Sequence, residues 1–407
     1  MIAMSRRNAG WMLVTVSLAT IAALTLYPES ETVTSDWRCI VCGTRGAADM
    51  VLNMLLFAPL GAGLALAGVR HRDALAIAVF VSGAVELAQV VIPGRDASMG
   101  DLLANSAGSA VGFAIVSTAR YWLVPTENLA RWLALGAAFA AAASIVLTGV
   151  MLQPQFTDST YFGQWTPELR HLERYRGAVL QATVGALPVP SGRLDNSAWI
   201  ADSLRQGSPV RVRVVAGPPT LRVSALFSIA DAEENTILLF GPHGRDLDYV
   251  FRMRAESFRL DRPKLTVPGA MNVQVGDTIA IAAWREGSGY CLVVNDNRNC
   301  GLGFTAGAGW TVLEYVESFA PWLRQGLNVV WISLLLVPFG YWLRPNLSCL
   351  LGGTIVVVAL LFVPSVTGLL KTPILEWLGA IVGVACGCAV RAGVGRARRH
   401  DNIFQTP

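Results

Sequence analysis

Long apolar runs separated by short charged gaps occupy both ends of this chain. Eight runs approach or reach the roughly 20 residues that a helix needs to cross a bilayer. They cover residues 11–27, 50–69, 74–92, 102–120, 129–152, 327–343, 347–363 and 374–390. The pattern predicts about eight membrane helices: five within residues 1–152, and three within residues 323–407 ahead of a basic tail. Residues 153–322 hold most of the acidic residues and predict a soluble domain inserted between the fifth and sixth helices.

Within this insert the periodicity changes to strict alternation. From Val210 to Val214, valine alternates with arginine. The same period of two covers residues 221–229, 236–240, 247–254, 257–260 and 278–283. Breaks rich in glycine and proline separate these segments. Short alternating strands with such turns predict an antiparallel β-sandwich, large enough to fold alone.

Composition supports this division and adds an orientation. Only 15% of residues are charged, against about a quarter in soluble proteins. With eight spans, all basic clusters at helix ends fall on one side, which the positive-inside rule makes the cytoplasm. Both termini are then cytoplasmic, residues 153–322 are extracytoplasmic, and the first run is an uncleaved anchor.

The polar segments contain two close pairs of cysteines. Cys39 and Cys42 lie in the first outer loop, and Cys291 and Cys300 flank a predicted hairpin turn. On an oxidising side each pair predicts a disulfide. For the Cys39–Cys42 pair, a redox motif or half of a zinc site remains open.

Polar residues recur inside the second, third and fourth runs, at spacings of three or four that put each pair on one helix face. With the arginine of the intervening loop they are Asp49, Asn53, Glu86, Gln89, Arg95, Asp101 and Asn105. Ionisable groups in a membrane are costly and mark function by default. We predict that they line one pocket at the outer face, where Arg95 pairs with Glu86 or Asp101. A hydrogen-bond network that only holds the helices together is the alternative.

Gly108 and Gly112 continue the Asp101 stripe and predict close helix packing. Together with Phe57, Pro59 and Gly61, these polar positions closely resemble the VanZ-like membrane family over about residues 10–120. The resemblance implies a bacterial envelope protein of the cytoplasmic membrane. It also implies a link to glycopeptide resistance, because the family is named for a protein associated with teicoplanin resistance.

The insert resembles a second family. Residues 225–229, 236–241, 248–252 and 291–295 follow the order of strands in the concanavalin A-like, laminin-G-like jelly roll. That resemblance implies a lectin-like domain that binds carbohydrate, sometimes with calcium. The acidic residues Asp231, Glu233 and Glu234 indicate a solvated turn more than a calcium site. A purely structural or protein-contacting sandwich remains open.

The C-terminal runs echo the N-terminal ones. Asn328, Pro338 and Gly340 echo Asn53, Pro59 and Gly61 if an insertion is allowed, and Glu376 precedes a second glycine pair as Asn105 precedes the first. A degenerate second copy and chance similarity both remain open.

We therefore expect an envelope protein that binds a glycan or a lipid-linked component. The alternative is a membrane enzyme in which Glu86 and Asp101 act as acid and base on a lipid-linked or peptidoglycan substrate. A transporter is less favoured, because no charged pair lies near the predicted midplane. We expect membrane lipid and an envelope glycan as partners, with no metal, cofactor or nucleic acid.

Overall fold

A computed structural model describes residues 5–28, 37–95, 97–169, 172–317, 319–345 and 347–403, without the side chains of 397–403. Arg398 and Arg399 of the predicted basic tail therefore lie outside the described side chains. The first part of the chain is helical. Its helices are α1 (Arg6–Thr25), α2 (Gly46–Leu66), α3 (His71–Gln89), α4 (Met99–Ser117), α5 (Ala119–Leu123) and α6 (Glu127–Met151).

A β domain follows α6. Its elements are β1 (Tyr161–Trp165), β2 (Ala178–Val184), β3 (Leu187–Pro188), β4 (Gly192–Leu194), α7 (Ser197–Arg205), β5 (Val210–Val215), β6 (Phe227–Asp231), β7 (Thr236–His243), β8 (Asp246–Phe251), α8 (Arg254–Ser257), β9 (Leu265–Val267), β10 (Thr278–Glu286), β11 (Gly289–Val294), β12 (Asn297–Leu302) and a 3-10 helix (Ala306–Val312). Three helices complete the chain: α9 (Pro321–Trp342), α10 (Leu347–Thr367) and α11 (Ile374–Ile403).

Seven of the described helices are long and apolar enough to cross a membrane: α1, α2, α4, α6, α9, α10 and α11. The remaining predicted span corresponds to α3, which carries Arg72, Asp73 and Glu86 in its 19 residues. Side chains on the surface of the seven are largely apolar, as lipid contact requires. The chain is therefore a multi-pass membrane protein, and the count of eight spans stays a prediction.

The β domain is a sandwich of two six-stranded antiparallel sheets, ordered β4-β1-β6-β7-β8-β9 and β12-β11-β10-β5-β2-β3. In β5, Val210, Val212 and Val214 are buried and the two arginines between them are exposed, so the alternation predicts the core face correctly. Strands β6 to β8 are buried on both faces, because a second small cluster around Leu239 covers their outer side. One core between the sheets holds the domain together.

The strand predicted at residues 257–260 is wrong. Residues 254–257 form α8, and the chain then turns at Arg259, whose φ is 53°. The turn points the Arg259 carbonyl at the first turn of α2, where the N–H groups of Ala47 and Ala48 donate to it at 3.1 and 3.4 Å. A contact between distant segments therefore sets this local conformation. The predicted strand at 221–229 also begins late, at Phe227.

Helices α2 and α4 pack at backbone contact. A Cβ atom added to Gly108 would overlap the carbonyl oxygen of Met54, and one added to Gly112 would overlap that of Ala58. The same register recurs between α9 and α11, where Gly379 faces the carbonyl of Val329 and Gly383 faces that of Ser333. Met54 directly follows Asn53, as Val329 follows Asn328. The tight helix pair is thus repeated in the C-terminal part.

The helix that lies in sequence between the two members of each pair is placed differently. Helix α3 packs against α4 and α2, whereas α10 packs mainly against α6. The repetition therefore covers the glycine-mediated pair and does not extend to its neighbour. The N-termini of α2, α4, α9 and α11 lie on the side of the β domain, which we call the domain side.

Candidate functional site

The predicted polar residues meet near the domain-side ends of α2, α3 and α4. The Asn53 amide donates to Asp101 Oδ1 at 2.6 Å and so joins α2 to α4. Ser98 caps α4 by accepting the backbone N–H of Asp101 at 3.0 Å. The backbone N–H of Ser98 donates to Glu86 Oε2 at 2.9 Å. The turn that begins at Ser98 therefore brings the carboxylates of Glu86 and Asp101 together at the start of α4.

Helix α3 makes two buried polar contacts at this level. Glu86 is 1% exposed, and its contact with Ser98 fastens α3 to the start of α4. Gln89 donates to the carbonyl of Thr25 at 3.1 Å and fastens α3 to the end of α1. These contacts explain how a helix with buried polar groups is stabilised, since each group has a partner on a neighbouring helix.

Asn105 differs from these residues. Its side chain is 2% exposed, and its amide nitrogen donates to Ser82 Oγ at 3.0 Å. Its oxygen, Oδ1, has no hydrogen-bond partner among the described residues. A buried acceptor without a donor costs about 1–3 kcal/mol, so its presence calls for an explanation.

Arg95 lies at the edge of this cluster. Its Nε donates to the carbonyl of Tyr27 at 2.8 Å and its Nη2 to that of Leu24 at 2.9 Å. Arginine at a helix C-terminus commonly satisfies the last carbonyls in this way. Arg95 therefore orders the end of α1, and the predicted pairing with Glu86 or Asp101 stays a prediction.

Asp49 is exposed at the start of α2 and interacts electrostatically with Arg45. Arg45 Nη2 lies 2.6 Å from Glu314 Oε2 and 3.5 Å from Asp261 Oδ2, both in the β domain. Burial acts to lower the pKa of Arg45, but these carboxylates outweigh it and raise the pKa above its ordinary value. Burial also raises the pKa of Asp261, against the opposing effect of Arg45. Carboxylates of the β domain thus neutralise the charge of Arg45 at the start of α2.

The first loop covers the start of α4. The backbone N–H of Met99 donates to the carbonyl of Trp37, and that of Gly100 to the carbonyl of Cys39, both at 3.1 Å. Within this loop Cys39 and Cys42 lie at disulfide distance. The loop therefore forms part of the cover over the polar cluster.

Cys291 and Cys300 also lie at disulfide distance, with Cα atoms 4.0 Å apart across the β11–β12 hairpin. Glu286 adds a third ligand-type group beside them. A disulfide withholds both thiolates from a metal ion, because metals bind the deprotonated thiol. This group is better explained as a bridged hairpin than as a metal centre.

The sequence did not predict a second polar cluster, which lies at the domain-side end of α11. Glu376 Oε2 accepts the backbone N–H of Gly307 at 3.0 Å, and the Thr305 hydroxyl donates to the other carboxylate oxygen. The Asn328 amide donates to Thr305 Oγ1 at 3.2 Å and accepts from Trp310 Nε1 at 2.8 Å. A segment of the β domain therefore fills this site. The echo of Asn53 by Asn328 and of Asn105 by Glu376 was its sequence signal.

The two clusters hold equivalent places in the repeated helix pair. Asn105 precedes Gly108 by three residues, as Glu376 precedes Gly379. In the C-terminal part, the Glu376 carboxylate accepts hydrogen bonds from the Thr305 hydroxyl and the Gly307 N–H. In the N-terminal part the acceptor is unpartnered among the described residues.

These features define a multi-pass helical membrane protein with a β-sandwich between its two helical parts. Residues 4–120 match the protein family described as VanZ/LLP1, which confirms a VanZ-like domain in this part of the chain. Neither the curated proteins nor the solved structures contain a match. The β-sandwich is confirmed, and its assignment to the jelly-roll or laminin-G families stays a prediction.

Proposed function

We propose that this chain is a VanZ-like envelope protein that binds a donor-rich envelope component at the domain-side ends of α2, α3 and α4. The observation that carries the proposal is the buried, unpartnered Oδ1 of Asn105. At the equivalent place Glu376 receives a hydroxyl and a backbone N–H from the chain itself. The N-terminal site would receive the same two groups from a ligand.

The chemistry of the site defines the ligand class. Hydroxyl and amide N–H donors occur together in glycans with peptide branches, and a lipid-linked peptidoglycan precursor carries both beside the membrane. Two nitrogens of the Arg95 guanidinium already donate to the carbonyls of Leu24 and Tyr27 at the end of α1, so the proposed ligand uses neutral donors at this site in place of an anion. The part recognised is therefore the sugar or the peptide of the precursor.

The proposed orientation puts the site and the β domain on the outer face of the bacterial cytoplasmic membrane, with both termini inside. The basic clusters at the opposite helix ends support it. Reporter fusions at Gly185 and at the C-terminus are expected to give opposite signals. Equal signals at the two positions would contradict this topology.

We further propose that the β domain contributes lectin-like contacts. A shallow cavity of about 460 Å³ lies beside β1 and includes Trp165, Gln164 and the exposed Glu234 in its lining. An aromatic ring beside amide and carboxylate groups suits a sugar, which has apolar faces and hydroxyl edges. Such a contact would hold the glycan part of the ligand close to the membrane site.

The decisive experiment compares Asn105→Leu with Asn328→Leu in the intact protein. Binding of a purified lipid-linked disaccharide-peptide is measured in nanodiscs, together with the melting temperature. We expect Asn105→Leu to weaken binding at least tenfold, about 1.4 kcal/mol, with little change in melting temperature. Leucine has the same branched shape as asparagine, and removing the unsatisfied oxygen offsets the loss of the hydrogen bond to Ser82 Oγ.

Asn328→Leu is the matched control on the equivalent helix. It breaks the hydrogen bonds with Thr305 and Trp310, so we expect a lower melting temperature and unchanged binding. Unchanged binding by Asn105→Leu would refute the proposed site.

Teicoplanin susceptibility of cells that express each variant then tests the proposed link to glycopeptide resistance. Asn105→Leu is expected to abolish any protection.

A further inference from the structure

A second cavity lies where the β domain meets the domain-side ends of α6 and α10. Its volume is about 380 Å³, within the range of small-molecule sites. The β10–β11 hairpin forms one wall, with Trp284, Arg285 and Tyr290. The last turn of α10 and the residues after α6 form the other. This cavity is separate from the polar cluster of α2, α3 and α4, and nothing in the proposed function uses it.

Arg285 breaks the pattern of its strand. Ile279, Ile281 and Ala283 are buried in the core of the sandwich, and Arg285 continues the same face of β10. Alternation would put an apolar side chain at this position. Its guanidinium instead lies against Gly368, directly after the last turn of α10. A residue that breaks a local rule of the fold is a candidate for a functional position.

The guanidinium of Arg285 is half-buried and forms no hydrogen bond or ion pair with any described residue. The lining contains one other charged residue, Arg205, and no carboxylate. Arg205 pairs with Asp158 and Asp202. Arg285 is therefore the cation in this lining whose charge is not compensated within the described part of the chain.

Neutral donors lie beside this cation. Tyr290 is the cross-strand neighbour of Arg285, and its ring stacks on Phe251 with centroids 4.7 Å apart. Burial raises the pKa of Tyr290 to about 12, so its phenol keeps its proton at neutral pH. Ser288 and Ser365 add hydroxyl groups to the lining. A cation surrounded by neutral hydroxyl donors is suited to an anion, and the planar guanidinium matches a phosphate in particular.

The apolar side of the cavity identifies what carries the anion. Val366 lines the cavity and is 76% exposed, and Phe362, one turn earlier on α10, is 61% exposed. An apolar strip along a membrane-spanning helix therefore leads directly to the cavity. Acyl chains can lie against this strip while the headgroup reaches Arg285.

We propose that this cavity binds the phosphate headgroup of an anionic membrane phospholipid, with Arg285 as its cation. The site fixes the β domain against the bilayer surface. Arg285 donates charge-assisted hydrogen bonds to the phosphate, and its neighbours Tyr290 and Ser288 donate to the remaining phosphate oxygens.

Native mass spectrometry of the intact protein, released from nanodiscs, tests this inference. Nanodiscs contain phosphatidylcholine with one part in five phosphatidylglycerol, and the readout is the number of phosphatidylglycerol molecules retained. We expect Arg285→Gln to lower retention at least fivefold. Arg213→Gln is the matched control, because it removes an exposed arginine of the same sheet outside the cavity. It should retain lipid as the unaltered protein does.

Equal retention by Arg285→Gln and Arg213→Gln would overturn the proposal. Displacement of the lipid by inorganic phosphate at millimolar concentration would also overturn it, because the site would then take a soluble anion. If Arg285→Gln does not fold, Arg285→Lys decides. Lysine keeps the charge but loses the planar fork, so a several-fold loss of retention is expected and an unchanged value would contradict the proposal.

Discussion

Gly307 and Glu376 meet where the β domain inserts into the C-terminal helices, with the Gly307 N–H 3.0 Å from a carboxylate oxygen of Glu376. The glycine is required sterically, since a Cβ at this position would lie 2.7 Å from both Glu376 Oε1 and the carbonyl oxygen of Asn328. The 3-10 helix that contains Gly307 also packs against α6 and α9. The β domain is thus fastened to the membrane helices through a contact that only glycine permits.

Gly307→Ala is therefore expected to lower the free energy of unfolding by about 1–3 kcal/mol, the usual cost of overpacking. Thermal unfolding of the intact protein in detergent measures it. Gly326→Ala is the control, because a Cβ at that position in α9 meets nothing within 4 Å. Equal melting temperatures for the two variants would contradict the close contact.

The ion pair between Arg45 and Glu314 is expected to contribute little by itself. Both side chains are more than a third exposed, at 37% and 45%, so solvent screens the pair. A double-mutant cycle with Arg45→Gln and Glu314→Gln should give a coupling of about 0.2–1 kcal/mol that falls as salt is added. A coupling of several kcal/mol, or one that salt does not change, would show that the pair is more buried than described.

Lys264 and Asp248 form the opposite case. Their charged atoms lie 2.7 Å apart, and the side chains are 8% and 1% exposed. Lys264→Met leaves a buried carboxylate without its cation, which should lower the free energy of unfolding by about 3–5 kcal/mol. Adding Asp248→Asn removes the uncompensated charge and is expected to recover most of the lost free energy of unfolding. Chemical unfolding followed by tryptophan fluorescence measures both, and a double variant no more stable than Lys264→Met would contradict the explanation.

Asp231 should make the β domain sensitive to acid. Burial alone acts to raise the pKa of Asp231, but hydrogen bonds from Asn235 and Arg252 lower it below its ordinary value. Its contribution is therefore complete above about pH 4 and is lost as the pH falls through the lowered pKa. Asp231→Asn should lower the melting temperature at pH 7, and the deficit should shrink in acid. Asp195→Asn, at an exposed position, should show no such deficit at either pH.

The cysteines are expected to separate into two groups. Alkylation without reductant, followed by mass spectrometry, should leave Cys39, Cys42, Cys291 and Cys300 unmodified. The free cysteines Cys349, Cys386 and Cys388 should react after denaturation. Alkylation at both Cys291 and Cys300 would exclude their disulfide and would contradict an oxidising side for the β domain.

Periodicity predicted the parts of this fold in which one face of an element is buried. The alternation of β5 gave its core face because the arginines between its valines are exposed. The core face of β6 to β8 could not be predicted in this way. These strands are buried on both faces, so apolar and polar residues do not alternate along them. The turn at Arg259 was missed because its conformation depends on a contact with α2 that no local pattern contains.

The same limit applies to the sites. Spacing placed Asn53 and Asp101 on helix faces that meet, and their side chains are hydrogen-bonded. It could not show that Arg95 would donate to the end of α1, because that depends on where the chain leaves α1. The contact of residues 305–307 with Glu376 joins segments far apart in sequence. The short 3-10 helix that carries Gly307 also shows no periodic pattern from which its position could be predicted.

The carbonyl of Arg259 also sets an order of events during biosynthesis. Helix α2 is synthesised early, but the acceptor for its first N–H groups lies in the β domain, which emerges only after α6 has been made. Until that domain has folded, the first N–H groups of α2 depend on water for their hydrogen bonds. The first turn of α2 is therefore completed only after the β domain has folded, and truncation within the β domain should destabilise this end of the VanZ-like part.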